Sequence, residues 1–236
     1  MNVLHGIGVG PGAPDLLTLR AIRTLGRCAV VVGPRPRAGE SSLAVRIAGP
    51  HLFPTARVEE LVFPMVRDPQ RLREAWDAAA LRVLELLEEG NVGFLTLGDA
   101  SLYSTWTYLR AAVLARRPDQ VVATVPGITS FCAAAALAEL PLVEGDESLL
   151  VVPWASRRDR PWLREALEQG EACAFLKVAD RLDELDSALR GSGRTDSVLV
   201  SRATLPEESL GREWQEAGDR PDGYLAVVLS RAEGSR

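Results

Sequence analysis

Within its first 25 residues the chain passes from a short apolar run, Val3 to Val9, through Gly6-Ile7-Gly8-Val9-Gly10-Pro11-Gly12 and into Pro14 to Leu25. In that last stretch Leu16, Leu19 and Ile22 recur at helical spacing, and Pro14 suits a first helical turn, where an N–H is unpaired in any case. A strand that ends in glycines and opens at once onto a helix constrains the fold more than any other feature. The alternation then continues. Cys28 to Val32 is a strand-type run stopped by Gly33-Pro34. Pro69 to Glu89 places Leu72, Trp76, Ala79, Val83, Leu86 and Leu87 on one side of a helix that Gly90-Asn91 ends. Val92 to Leu97 reads as a strand, Tyr108 to Leu114 as helix, Val121 to Val125 as a strand, and Ala133 to Leu137 as the opening of a small-residue helix. Strands separated by helices need crossover connections, so this part is predicted to be α/β with a mainly parallel sheet.

The pattern changes at Glu139 to Glu147, where Pro141, Gly145 and further acidic residues interrupt it. The boundary is placed there, giving an N-terminal α/β domain over 1–138 and a C-terminal one over 139–236. The second domain reads as strand Leu149 to Val152, helix Trp162 to Leu167, strand Ala172 to Val178, helix Leu182 to Leu189 and strand Ser197 to Ser201. Leu210 to Trp214 and Tyr224 to Leu229, joined by the polar turn Glu216 to Gly223, are expected to form a hairpin, which makes this sheet mixed. A length of 236 residues suits one large or two small domains.

Composition removes several classes of function. A net charge of -5 argues against a nucleic-acid-binding protein. No apolar run is long enough to span a bilayer and the N-terminus lacks a basic signal start, so a soluble, cytoplasmic protein without a membrane partner is expected. Cys28, Cys132 and Cys173 are odd in number and far apart, which disfavours disulfides and zinc sites. With His5 and His51 as the only histidines and no ligand spacing around them, no metal site is expected.

The first glycine loop is not a dinucleotide fingerprint. A Gly-x-Gly-x-x-Gly frame begun at Gly6 meets Pro11 at its third glycine, and one begun at Gly8 meets Ala13. Nor does the loop end in Gly-Lys-Ser/Thr. Two further loops give it meaning. Leu97-Gly98-Asp99-Ala100-Ser101 and Val125-Pro126-Gly127-Ile128-Thr129-Ser130 also follow predicted parallel strands, so all three should meet at the carboxyl edge of one sheet, where open α/β sheets bind ligands.

These loops, with Gly8 to Leu19, Ser101 to Leu109 (Leu102-Tyr103-Ser104-Thr105 being the most discriminating) and Pro126 to Phe131, resemble those of the tetrapyrrole (corrin and porphyrin) methyltransferases, over nearly the whole chain. Within that family they look most like the precorrin-2 C(20)-methyltransferases of cobalamin synthesis. The resemblance implies two α/β domains, S-adenosylmethionine held in the cleft between them, and a homodimer. It implies cofactor contacts at Pro11, Leu97, Gly98, Asp99, Leu102, Thr129 and Ser130, and from the second domain at Leu176 and Ala203. The family usually has proline after Gly-Asp in the second loop. Ala100 stands there in this chain, which puts the stiffness of that loop in question.

Methyl transfer from a sulfonium needs two substrates held in line rather than a protein nucleophile, which agrees with the shortage of histidines. For a base at the methylated carbon the sequence offers only Tyr103, although a tyrosine there more often packs or hydrogen-bonds. Precorrin carries several carboxylates, so an acidic protein needs a local basic patch for it. Arg35 and Arg37, in Gly33-Pro34-Arg35-Pro36-Arg37 after the second strand, are the candidates for substrate binding; solvated loop arginines are the equal alternative, since only Lys177 of the 27 basic residues is lysine. Methylation of another tetrapyrrole carbon, or a non-catalytic nucleotide- or cofactor-sensing domain, remains open at this level.

Overall fold

The computed structural model describes residues 1–66, 68–154, 161–178, 181–212 and 225–231. It divides into two compact units, Met1–Thr129 and Ser130–Arg236. None of the helices among the described residues is long and apolar enough to cross a membrane.

The first unit is built on β1 (Leu4–Gly8), α1 (Leu19–Leu25), β2 (Val30–Arg35), α2 (Leu43–Ala48), β3 (Arg57–Val62), α3 (Pro69–Leu86), β4 (Val92–Thr96), α4 (Thr105–Arg116) and β5 (Val122–Val125). Its five strands lie in the order β3-β2-β4-β1-β5, and every pairing is parallel. Alternating side chains serve opposite faces. Leu4, Val30, Val32, Val92 and Phe94 meet α3 and α4 on one face, while Ile7, Val31, Leu95 and Val125 meet α1 and α2 on the other. Trp106 of α4 lies directly over Gly6, where any Cβ would collide with the indole ring, and its Nε1–H donates to Thr124 Oγ1 at 2.9 Å. Gly6 therefore belongs to the core rather than to the loop that follows.

Local expectations are corrected at three places. The helix expected from Pro14 begins only at Leu19: Pro14–Leu16 is a 3-10 turn, Leu17 and Thr18 are extended, and the Thr18 hydroxyl caps the helix by accepting the Ala21 N–H. Leu19, counted on the apolar stripe, is 70% exposed. Gly33-Pro34 does not stop β2, which continues to Arg35 beside β3. Pro34 is tolerated because strand alternation turns its missing N–H toward the β4 side, where β2 has no partner after Val32. Two elements, α2 and β3, gave no signal. The first is only six residues long, and the second is a charged edge strand whose Glu59 accepts from Arg82 of α3 at 2.6 Å.

The second unit contains α5 (Ser130–Leu137), β6 (Leu149–Pro153), α6 (Pro161–Glu168), β7 (Ala172–Leu176), α7 (Leu182–Gly191), β8 (Ser197–Ser201), β9 (Ser209–Gly211) and β10 (Ala226–Ser230). Its sheet has the order β6-β7-β10-β8-β9, and only β6 and β7 pair in parallel. The sheet is mixed as expected, by another route. β9 pairs with β8, and β10 inserts between β7 and β8, so the expected hairpin of the last two strands does not form. Trp214 and the turn 216–223 of that expectation lie outside the described residues. β10, buried at all five positions, covers the sheet centre, which its apolar sequence suits better than an edge.

The units divide at Thr129/Ser130, ahead of the composition change at Glu139. Ala133, Ala134 and Ala135 of α5 pack with Ala174, Val198, Val227 and Leu229, and this places the helix in the second core. The acidic segment after it is tied down by Arg231, whose guanidinium donates to Glu147 and to the Pro141 carbonyl.

Candidate functional site

In a parallel sheet all carboxyl ends share one edge. Here the order places β1 between β4 and β5, so the loops after these three strands are neighbours. The chain leaves β1 for β2 and β3 and returns to insert β4 between β2 and β1, which makes this the switch point at which such sheets bind ligands.

The first two loops are joined backbone to backbone. Gly10 N–H donates to the Gly98 carbonyl at 3.2 Å, and Gly98 N–H donates back to Gly10 at 2.8 Å. Both have positive φ, 79° and 65°, which glycine adopts without a Cβ penalty. Beneath them Gly8, Gly98 and Gly127 touch. A Cβ on Gly8 would lie 2.6 Å from the Gly98 oxygen and 2.8 Å from the Gly127 nitrogen, and one on Gly127 would overlap the Gly98 oxygen outright. Glycine at positions 8 and 127 allows the loops to approach, and glycine at 98 allows the positive φ between them.

Asp99 links the second loop to the third. Its Oδ2 accepts the Gly127 N–H and its Oδ1 the Ser101 N–H, each at 2.8 Å. The latter bond closes an Asx turn over Ala100, whose methyl is fully buried in the first core. The turn is therefore pinned by hydrogen bonding where a proline would have stiffened it covalently. Thr18 Oγ1 donates to the Pro126 carbonyl at 3.4 Å and joins the start of α1 to the third loop. His51 Nε2 lies 2.9 Å from the Pro14 carbonyl and holds the 3-10 turn of the first.

Of the residues singled out in this unit, Pro11, Leu97, Gly98, Asp99, Leu102 and Thr129 all lie on these three loops. The Thr129 hydroxyl is buried without a hydrogen-bond partner. Burying a hydroxyl unpaired costs about 1–3 kcal/mol, so Thr129 is either strained or built to meet a ligand. Tyr103 is half exposed and has φ 48°, a strained backbone for a side chain of its size. Ser104 supports the site, a role absent from the sequence reading. Its Oγ accepts the Trp106 N–H at 3.1 Å and shares a buried hydrogen bond of 2.8 Å with Thr96, so it both caps α4 and anchors it to β4. A serine just ahead of an apolar helical run is the signal that could have found it.

Arg35 and Arg37 leave the same sheet edge from β2. Arg35 is turned to Glu60, 3.8 Å from its carboxylate, whereas Arg37 lines an open groove of about 600 Å³.

In the second unit β7 and β8 both run antiparallel to β10, so their carboxyl ends share an edge. Leu176 ends β7 and Ala203 follows β8; both side chains are buried in the core. What these positions can offer a ligand is backbone. Lys177, Arg202 and Thr204 beside them all have positive φ, which concentrates strained backbone at that edge. Ser130 opens α5 of this unit.

The glycine junction and the orphaned Thr129 hydroxyl fit a ligand lying against backbone. Comparison with known proteins gives the family. Residues 3–213 match the family model of tetrapyrrole (corrin/porphyrin) methylases. The chain is 35% identical over 229 residues to the cobalt-precorrin-2 C(20)-methyltransferase of Salmonella typhimurium, covering 96% of this chain and 94% of that protein. It is 31% identical over 236 residues to the precorrin-2 C(20)-methyltransferase of a Sinorhizobium species, with the same two coverages. Among solved structures, the uroporphyrin-III C-methyltransferase of Thermus thermophilus complexed with S-adenosylhomocysteine shares the fold, with a TM-score of 0.68 at 22% identity over 97% of this chain and 91% of that one.

Proposed function

Because the chain belongs to the tetrapyrrole (corrin/porphyrin) methylases, we propose that it methylates carbon 20 of precorrin-2 or of its cobalt-bearing counterpart, with S-adenosylmethionine as methyl donor. The products are precorrin-3A, or its cobalt form, and S-adenosylhomocysteine. The observation that carries the choice of carbon 20 is the near full-length match, at 35% and 31% identity, to two relatives named for that position, one for cobalt-precorrin-2 and one for precorrin-2.

When bound, S-adenosylmethionine supplies an electrophilic methyl group, and the reduced tetrapyrrole supplies the carbon that attacks it. The protein's part is to hold the pair in line, which is worth about 7–11 kcal/mol when the geometry is right. In this reading Gly98, Leu97 and Pro11 present backbone and small apolar surface to the cofactor. Asp99 fixes the spacing of the loops, Leu102 packs beside them, and the Thr129 hydroxyl takes up the hydrogen bond that it lacks. Ser130, Leu176 and Ala203 contribute from the second unit, the last two through the strained strand ends. Arg37 pairs with a substrate carboxylate, and Arg35 adds positive charge behind it, partly offset by Glu60. Tyr103 remains the candidate for the proton lost at the methylated carbon. A cytoplasmic homodimer goes with this reading, and sedimentation at twice the 25.5 kDa chain mass would support it.

The deciding experiment incubates the protein and S-adenosylmethionine with metal-free precorrin-2 and with the cobalt form, side by side. A mass gain of one methyl, located at carbon 20, is expected with one or both. Transfer to another carbon, or to neither substrate, would overturn the proposal.

A further inference from the structure

The groove beside Arg37 is formed by the segments that follow β2 and β3 and by the first turn of α3. β2 is the neighbour of β4, so the groove opens at the same sheet edge as the glycine junction. Its lining combines two chemistries. Val62, Pro64 and Met65 make an apolar floor, in which Met65 is 64% exposed and, with its flexible thioether, can adapt to an apolar ligand edge. Arg37 and Arg71 bring two guanidinium groups, against the single carboxylate of Glu40.

Neither cation is committed elsewhere. The Arg37 side chain is 83% exposed and reaches Glu40 only at 3.8 Å, an exposed pairing that a ligand carboxylate readily replaces. Arg71 has no ion-pair partner among the described residues, whereas Arg57, Arg82, Arg116 and Arg117 of the same unit are each bonded to a carboxylate. The backbone beneath Arg71 is fixed, since the Asp68 carboxylate caps α3 by accepting the Gln70 and Arg71 N–H groups at 2.8 and 3.3 Å. An apolar floor with two uncommitted arginines, on a protein of net charge -5, selects a flat apolar ligand that carries carboxylates on its rim.

We infer that this groove is a substrate subsite in which Arg71, together with Arg37, pairs with peripheral carboxylates of the tetrapyrrole while Met65 and Val62 lie against its apolar edge. The inference rests on the proposed function and adds to it a specificity-determining residue on α3, remote in sequence from the strand-end arginines.

The test compares wild type with Arg71→Ala, Arg71→Lys and Met65→Glu. Binding is read by titrating the absorbance of precorrin-2, and transfer by mass. Arg71→Ala is expected to raise both Kd and KM for the tetrapyrrole about tenfold, with kcat and the affinity for S-adenosylmethionine unchanged. Arg71→Lys should recover part of the loss, because a point charge replaces a planar fork. Met65→Glu, also at an exposed position, should weaken binding without unfolding the protein. Wild-type Kd and KM in both Arg71→Ala and Met65→Glu would overturn the subsite while leaving the proposed function intact. A wild-type protein that binds precorrin-2 but transfers no methyl would overturn the function and still allow the Arg71 comparison; one that does not bind it would overturn both.

Discussion

The two oxygens of Asp99 hold backbone on both sides of the site: one accepts the N–H of Gly127, on the loop after β5, and the other accepts the N–H of Ser101, two residues on, both at 2.8 Å. An acidic residue in a ligand-binding loop is easily taken for a ligand contact. Here each oxygen already accepts a backbone N–H, so the carboxylate fixes the distance between two loops, with acceptor capacity left on both oxygens.

Removing it should therefore harm stability and cofactor binding together. Asp99→Ala leaves the Gly127 and Ser101 N–H groups unpaired and should destabilise the protein by about 1–3 kcal/mol, with weaker binding of S-adenosylmethionine. Asp99→Asn keeps one acceptor oxygen and should fall between. Urea denaturation and calorimetric titration of the two variants check this, and an Asp99→Ala protein of wild-type stability would contradict the bridging role.

The contact among Gly8, Gly98 and Gly127 leaves no room for a Cβ on Gly8 or Gly127. Gly127→Ala forces its Cβ into the Gly98 carbonyl, backbone that has no free rotation by which to escape. A loss of at least about 1–3 kcal/mol is expected, with cofactor binding abolished or nearly so. Gly39→Ala makes a suitable comparison. Its φ of 87° also strains alanine, but nothing lies within 4 Å, so it should be stable enough to retain binding.

Thr129 makes the opposite kind of prediction. Thr129→Val removes an unpaired buried hydroxyl at nearly constant shape, so the free protein should be as stable as wild type or more so. If the hydroxyl meets the cofactor, affinity falls about tenfold at the same time. A thermal melt with and without S-adenosylmethionine reads both, and the ligand-induced shift in Tm should shrink. An undiminished shift would remove Thr129 from the cofactor site.

His5 on β1 should make the fold sensitive to mild acid. Burial, and then the charge of Arg27, hold its pKa below the ordinary 6.5, and its Nδ1 is buried without a partner. The unfolded chain then takes up the proton at a higher pH than the folded one. The stability associated with neutral His5 is complete above pH 6.5 and is lost as pH falls from there through the lowered folded value. The denaturation midpoint of wild type should drop more than that of His5→Gln between neutral pH and about pH 5.5. Equal drops would show that other groups carry the dependence.

What depends on near neighbours is legible along the chain. The turn from β1 into glycines, much of the alternation of strands and helices, and the loops at 8–12, 97–101 and 126–129 are local patterns of residue type; the short α2 and the charged edge strand β3 carry no such pattern. The family's motifs lie on the same loops, so the candidate site could be read along with them. Which distant segments meet emerges only with the pairing and packing within each sheet. Periodicity can identify β10 as a buried strand, but its insertion between β7 and β8 follows from which pairing buries it on both sides. Nothing local marks Gly127 as the partner of Asp99, Ser104 as the anchor of Thr96, or α5 as part of the second core, because each of these is settled by which groups are left unpaired or unburied once the sheets have formed. The same holds for Arg71. On the sequence it is one arginine among many, and it becomes a neighbour of Arg37 only when β2 and β3 pair in parallel and bring α3 back to their carboxyl ends.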